Sequence, residues 1–423
     1  MKVLWFVNNL CESVEYLNPN AIECGWLYSL CKKLRQVDGV ELHIAFLWGE
    51  DIDSFRYKDV VYHPILRKGM NSRLGRGWNR ICDILSDKND KIQLLQCMHI
   101  IHKVSPDIIH VHGTEDMFGL ITRYDDLHVP VVLSIQGLLS VYRLKYYSGP
   151  TRNEILHNES IKKKITLSGY NGNFYDFSKR AKRETEILAS LQYVIGRTQW
   201  DRRCAHALNP RIRYFKVNEI LRPEFMSATW QCRRHGECFE LATTISSGIY
   251  KGLEVIYQTA QLLTNMNFPF VWKIIGLSSN NDLVKIVEKI CNLHANDIHV
   301  ELLGAKRANE MVQVLLNSDM YVQTSHIENS PNSLCEAMAL GMPIIASCAG
   351  GTSSMLKDEK EGIIIQDGNF YELAGAIMEA SQNYALAVKM GEMARTRALP
   401  RHNPNNVADE LIVAYNTIIQ VSK

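Results

Sequence analysis

Residues 320–343 read MYVQTSHIENSPNSLCEAMALGMP, and the order of residue types in that stretch decides the fold. Met320–Gln323 is a short apolar run of the kind that forms a buried strand, and residues 324–330 are a polar turn. A helix is predicted over Ser333–Leu340. Ser330 is the expected N-cap, Pro331 fits the first helical position, and Gly341 with Pro343 ends the helix. A strand that passes through a polar turn into a helix is the repeating unit of a parallel α/β sheet. The free N–H groups and positive dipole end at Ser330, Pro331, Asn332 and Ser333 suit an anion such as a diphosphate. Glu328 stands just before that helix end, and Glu336 lies within the helix. Carboxylates accept hydrogen bonds from vicinal hydroxyls, so one glutamate can hold a sugar ring and the other a ribose, with the phosphates between them.

The same alternation extends in both directions. Upstream in this half, strands are predicted at Phe239 onward, Val271–Ile275 and Ile298–Leu303, with helices near 281–293 and at Ala308–Leu316, and a further strand follows at Pro343–Ala346. The first half repeats the pattern. Lys2–Val7 is a continuous apolar strand ended by Asn8-Asn9, and Trp26, Leu27, Leu30 and Leu34 fall at helical spacing. Strands are expected at Val40–Leu47, Ile108–Val111, Val131–Ile135, Tyr193–Ile195 and Tyr214–Val217, with a helix near 91–103 and a basic irregular stretch at 56–80. The expected organisation is a Rossmann-like doubly wound α/β domain at 1–217, a linker at 218–238, a second such domain at 239–400 and a last helix within 401–423. In that helix Val407, Leu411, Ala414, Tyr415 and Ile418 share one face, with Asn405 or Asn406 as N-cap. Ligands of such sheets bind beyond the carboxyl ends of the strands, so a central cleft between the two domains is the expected site.

Of the 423 residues, 46% are hydrophobic and 22% charged, the balance of a globular chain large enough for two domains. A net charge of +2 argues against a nucleic-acid-binding coat. That sum hides an asymmetry: residues 1–225 carry 32 Lys and Arg against 25 Asp and Glu, and the rest carry 15 against 20. A basic first half suits an anionic partner. Eleven scattered cysteines without a C-x-x-C pair read as reduced thiols. The N-terminal apolar run is too short for a signal peptide and no stretch is long enough to span a bilayer, so a cytoplasmic protein is expected, peripheral at most to the inner face of the membrane.

Taken together, Glu328, Pro331, Glu336, Ala337, Met338, Ala339, Gly341 and Pro343 resemble the signature of the family 4 retaining glycosyltransferases of GT-B fold. Pro106–Gly113 is similar to that family's N-domain strand, Lys251-Gly252 to its donor-site Lys-Gly, and Gly350-Gly351 to its later glycine pair. The resemblance implies transfer of a hexose, with retention, from a nucleoside-diphosphate sugar to a glycan or lipid-linked glycan, as in bacterial surface polysaccharide synthesis. It implies that Glu328 contacts the transferred sugar, Glu336 the ribose and Lys251 the diphosphate, that no metal or cofactor is required, and that the final helix crosses back onto the first domain.

Two departures from that pattern stand out. The arginine that the family commonly places a few residues before the lysine, in a Gly-Arg pair, is missing from Ser246-Ser247-Gly248-Ile249-Tyr250-Lys251, and Gln136 stands where relatives often carry a histidine. An amide bonds a sugar but cannot act as a base. His112, at the end of its strand, is a further catalytic candidate, and Gly248 a donor-loop candidate. Gly25 and Trp26, closing the long loop 8–25, are expected beside the donor phosphates or the acceptor. His110 and His112 share a strand face, yet a metal site lacks a third ligand in the sequence, and Asp51-Ile52-Asp53 reads as a solvated turn. The five cations of Arg67–Arg80 form either a solvated loop or, with Ile161–Ile165, a surface for anionic headgroups. Two alternative functions remain: a GT-B-like nucleotide-sugar epimerase, and a donor-binding but inactive partner subunit.

Overall fold

The computed structural model describes residues 1–18, 25–67, 72–232 and 238–422, excepting the side chains of 73–76. It divides into two compact units, one of 1–143, 162–220 and 402–423, the other of 144–161 and 221–401.

The first unit is built on an eight-stranded sheet. Its strands are β1 (Lys2–Val7), β2 (Glu41–Trp48), β3 (Phe55–Tyr57), β4 (Val60–Leu66), β5 (Ile108–His112), β6 (Val131–Ser134), β7 (Tyr193–Gly196) and β8 (Arg213–Lys216). Their order is β3-β4-β2-β1-β5-β6-β7-β8, parallel throughout except for the antiparallel β3–β4 pair. The order reverses between β1 and β5, which are neighbours. Val3 to Val7 are fully buried, which is why β1 is apolar without alternation: helices cover both faces of the sheet. One covering layer joins the helix Trp26–Leu34 to the C-terminal helix Pro404–Ser422, with Leu27, Leu30, Leu34, Val407, Leu411 and Ile418 in a common core. That pairing places residues 402–423 in the first unit.

A polar chain runs through this apolar layer. The indole N–H of Trp5 donates to Tyr415 Oη at 2.9 Å, Tyr415 Oη lies 2.6 Å from His110 Nδ1, and His110 Nε2 lies 2.6 Å from Ser134 Oγ. All four are satisfied if Tyr415 donates to Nδ1 and Nε2–H donates to the serine. β1, β5, β6 and the last helix are thereby tied together.

The second unit has a six-stranded parallel sheet: β9 (Phe239–Thr244), β10 (Phe270–Ile275), β11 (Val300–Gly304), β12 (Met320–Gln323), β13 (Ile344–Ser347) and β14 (Ile363–Ile365), ordered β11-β10-β9-β12-β13-β14. The order reverses between β9 and β12. A crevice at the carboxyl end of a sheet opens at such a switch point.

Several expectations need correction. Residues 56–67 and 72–80 are not an irregular stretch: Val60–Leu66 is a β-rich run that pairs beside β2, and Arg73–Leu85 is helical. The helices Tyr170–Ser190 and Gln199–Leu208 have no counterpart in the sequence reading. Residues 144–161, placed by that reading in the first domain, cluster with the second unit, and the region 218–238 contains the helix Pro223–Ser227 and the buried Trp230. Residues 233–237 of it lie outside the described residues, as do 19–24 of the loop 8–25 and 68–71 of the basic stretch. Asn403, not Asn405 or Asn406, caps the last helix: its Oδ1 accepts the N–H groups of both, because Pro404 already occupies the first helical position. No helix among the described residues is long and apolar enough to cross a membrane.

Removing the Tyr415 hydroxyl strands the buried Trp5 and His110 donors and acceptors, so Tyr415→Phe should cost about 1–3 kcal/mol in thermal or urea unfolding. Burial drives His110 down from 6.5 to about 3. The unfolded chain therefore binds a proton in that window that the folded chain refuses; stability is full above pH 6.5 and falls as pH drops towards 3. Unfolding midpoints measured from pH 7 to pH 4 should decline, and less steeply in His110→Gln.

Candidate active site

In the second unit three loops leave the carboxyl ends of adjacent strands: residues 245–252 after β9, 324–331 after β12 and 348–351 after β13. The central loop, which carries Glu328, is fixed by backbone on both sides. The His326 N–H donates to the Tyr250 carbonyl at 2.9 Å, and Thr324 Oγ1 donates to the Gly252 carbonyl at 3.0 Å. On the other flank the Gly351 N–H donates to the Glu328 carbonyl at 2.8 Å, and Ser347 Oγ donates to the Ser325 carbonyl. This close approach needs glycine. A Cβ on Gly252, at φ +76°, would lie 2.1 Å from the Thr324 oxygen, and one on Gly350, at φ +54°, 2.2 Å from the Glu328 oxygen.

Held this way, Glu328 is buried, accepts from Ser325 Oγ at 2.9 Å, and forms an ion pair with Lys251. Burial works against the Lys251 ammonium, but the Glu328 charge outweighs it and holds the lysine above its ordinary value. Gly248 opens the short turn that presents Lys251, its carbonyl accepting the Lys251 N–H at 3.0 Å.

The helix after the loop spans Asn332–Leu340, and its N-cap is Pro331 rather than Ser330. Pro331 is extended, at φ −69° and ψ 113°, and its carbonyl accepts the N–H groups of Leu334 and Cys335. Ser330 turns its hydroxyl towards Met355 Sδ, 3.8 Å away. Asn332, at the helix start, has a buried Oδ1 without a partner among the described residues, and Ser333 follows it in the first turn. Gly341 closes the helix at φ +85°.

Glu336 is buried in that helix, and burial raises its carboxyl above the usual range, with Arg222 pulling it back. The pair is bidentate, Arg222 Nε and Nη2 donating at 2.7 and 2.8 Å, and the guanidinium also sits over the Phe225 ring at 4.5 Å. Arg222 is absent from the sequence reading, since a partner 114 positions away leaves no local pattern. His326 was also missed: buried, it bonds Glu254 at 2.6 Å and ties the loop to the helix Leu253–Asn265.

The other candidates lie in the first unit. His112 ends β5, with neither ring nitrogen hydrogen-bonded among the described residues. Its ring is packed by His110 at 3.7 Å, Trp5 at 4.5 Å and Trp26 at 5.7 Å, and burial holds it neutral, well below its ordinary value. Trp26 in turn carries the Arg197 guanidinium 4.2 Å above its ring. Gly25 precedes it at φ +94° with open space around it. Gln136 reaches the same strand end: its Nε2 is 3.4 Å from where Gly113 would carry a Cβ. Glu115, which the sequence reading did not single out, lies there too, its Oε2 2.0 Å from the same point; burial raises its carboxyl to about 7.

This architecture is the GT-B class, two parallel-sheet α/β units with the last helix returned to the first. Residues 246–397 match the family described as glycosyl transferases group 1. A curated relative, the poly(ribitol-phosphate) alpha-N-acetylglucosaminyltransferase of Staphylococcus aureus, is 24% identical over 168 residues, which are 40% of this chain and 33% of that protein. The chain matches only 33% to 41% of the length of this and two further curated relatives. Among solved structures, sucrose-phosphate synthase from Thermosynechococcus elongatus superposes with a TM-score of 0.72 at 13% identity, over 100% of both chains. Anabaena HepE in complex with UDP and glucose gives 0.62 at 14% identity, over 98% of both.

Arg222→Ala would leave the buried Glu336 carboxylate uncompensated, so a loss of about 3–5 kcal/mol is expected in chemical unfolding, with partial recovery in Arg222→Lys. Gly350→Ala should cost about 2 kcal/mol or more by the same measurement, because its Cβ meets backbone and not a movable side chain.

Proposed function

We propose that this chain is a retaining hexosyltransferase that moves a sugar from a nucleoside-diphosphate donor to a glycan or lipid-linked glycan, in the synthesis of a bacterial surface polysaccharide. One observation carries the reading: two carboxylates, each buried and each paired with a cation, stand on one loop and helix at the switch point of the second sheet. Buried glutamates paired this way can exchange their cations for ligand hydroxyls and phosphates. The match to group 1 glycosyl transferases supports it, as do a structural neighbour solved with UDP and glucose and a relative named for transfer to a poly(ribitol phosphate).

In this reading Glu336 holds the ribose and the backbone N–H groups at the start of Asn332–Leu340 hold the diphosphate. Lys251 leaves Glu328 for the diphosphate as the glycosidic bond to it breaks, offsetting the charge that builds there, and Glu328 is released to orient the sugar hydroxyls. The departing phosphate oxygen takes the proton of the acceptor hydroxyl on the same face, which retains configuration and needs no base at Gln136. Neutral His112 and the amide of Gln136 act as hydrogen-bonding groups for the sugar or acceptor.

Thermal-shift and calorimetric titration with UDP-, GDP- and ADP-sugars should show stabilisation by one nucleotide class, lost in Glu336→Ala. Lys251→Ala should lower kcat at least ~100-fold, about 3 kcal/mol, with a smaller change in donor affinity. No stabilisation by any donor would sink the reading, donor loss without acceptor would favour the epimerase, and binding without turnover on any acceptor would favour the inactive subunit.

A further inference from the structure

The first unit has a second polar pocket that the chemistry above does not use. It encloses about 380 Å³ where the chain leaves β4 and β5, the end of the sheet at which His112 stands. The helices Arg73–Leu85, Lys88–Val104 and Tyr170–Ser190 supply its walls. Five cations face it, Arg67, Arg80, Lys179, Arg180 and Arg183, against four aspartates.

An ordinary network of ion pairs would use up these groups, and this one does so only in part. Arg67 pairs with Asp83, Arg80 donates to Asn173, and Arg183 donates to Asp90 at 2.7 Å and to the Glu115 carbonyl at 2.6 Å. Yet the Nε groups of Arg67, Arg80 and Arg183 are buried with no hydrogen-bond partner among the described residues. Those Nε atoms offer no surface to a bound molecule, but the side chains they belong to line the cavity and stay partly exposed, Arg67 to 24% and Arg183 to 16%, and a guanidinium fork matches a planar or tetrahedral oxyanion. Carboxylates share the wall. Asp116 lines it, and Asp176 holds Arg180 only at 3.6 Å, which leaves oxygens to accept hydroxyl groups.

We propose that this pocket binds a sugar or polyol unit carrying an oxyanion, a phosphate or a carboxylate. Arg67, Arg80 and Arg183 receive the oxyanion, and Asp116 and Asp176 receive hydroxyls. Given the glycosyl-transfer reading on which this assignment rests, the pocket is an acceptor subsite and the acceptor is an anionic glycan. The binding itself does not depend on that reading.

The full chain is titrated calorimetrically with glucose 6-phosphate, glucuronate and glucose, with and without a saturating nucleoside diphosphate, UDP, GDP or ADP, added to fill the phosphate site proposed for the second unit. At least one anion should bind in the presence of the nucleoside diphosphate, at least tenfold tighter than glucose. Arg80→Gln and Arg67→Gln should each weaken it at least fivefold with the nucleoside diphosphate affinity and the circular dichroism spectrum unchanged. Binding of the phosphate alone assigns a phosphorylated acceptor, and of glucuronate alone an acidic sugar. The proposal is overturned if neither anion binds, if glucose binds equally well, or if both variants bind as the unaltered chain does. A chain that binds the anion but none of UDP, GDP and ADP retains the pocket and defeats the donor-site reading instead.

Discussion

The loop that carries Glu328 depends on two places where backbone touches backbone with no side chain between. Gly252 and Gly350 grip residues 324–328 from opposite sides at distances that a single methyl group would violate. The hydrogen bonds of His326, Thr324, Gly351 and Ser347 then fix the loop carbonyls and leave its carboxylate directed at Lys251. Rigidity of this sort matters because a charged group is costly to bury, and only a fixed geometry lets its partner offset that cost. Precision at Glu328 therefore originates in residues that carry no functional group of their own.

The same logic applies to Glu336, but its partner comes from farther away. Arg222 lies at the entry to the second unit, and its fork meets the carboxylate with two nearly equal bonds. The guanidinium is held in turn by the Phe225 ring and by Met311 Sδ at 3.5 Å. The residues at which the chain re-enters the second unit thus serve as part of the site rather than as a tether.

How far the chain could be read in advance depended on whether each signal was local. Lys2–Val7 and Met320–Gln323 were legible because a strand buried on both faces must be apolar throughout. The span Ala308–Leu316 was legible from its helical spacing, and the glutamate pair from its position around a helix start. Val60–Leu66 was obscured by the cations that follow it, and Tyr170–Ser190 by a polar composition that masks its few buried residues, Phe177, Ala181, Ile187 and Leu188 among them. Pairings across the chain left no trace: Arg222 with Glu336 and His326 with Glu254 join residues 114 and 72 positions apart. The capping error at Ser330 has a different origin. The ψ of 113° at Pro331 keeps the proline outside the helix, so its own carbonyl takes the capping position.

The first unit is assembled from three separate pieces of chain, the last of which begins at His402. Its central strand β1 is made first, and the hydroxyl that satisfies the Trp5 indole is 410 residues later in the sequence. During synthesis, then, one side of the sheet's apolar layer stays uncovered until residues 402–422 have been made. The second unit, whose pieces all precede residue 402, can close beforehand. The sheet that begins first is therefore the last to be covered. A nascent chain stalled shortly before residue 402 would hold a first unit with that layer exposed, a ready target for chaperones.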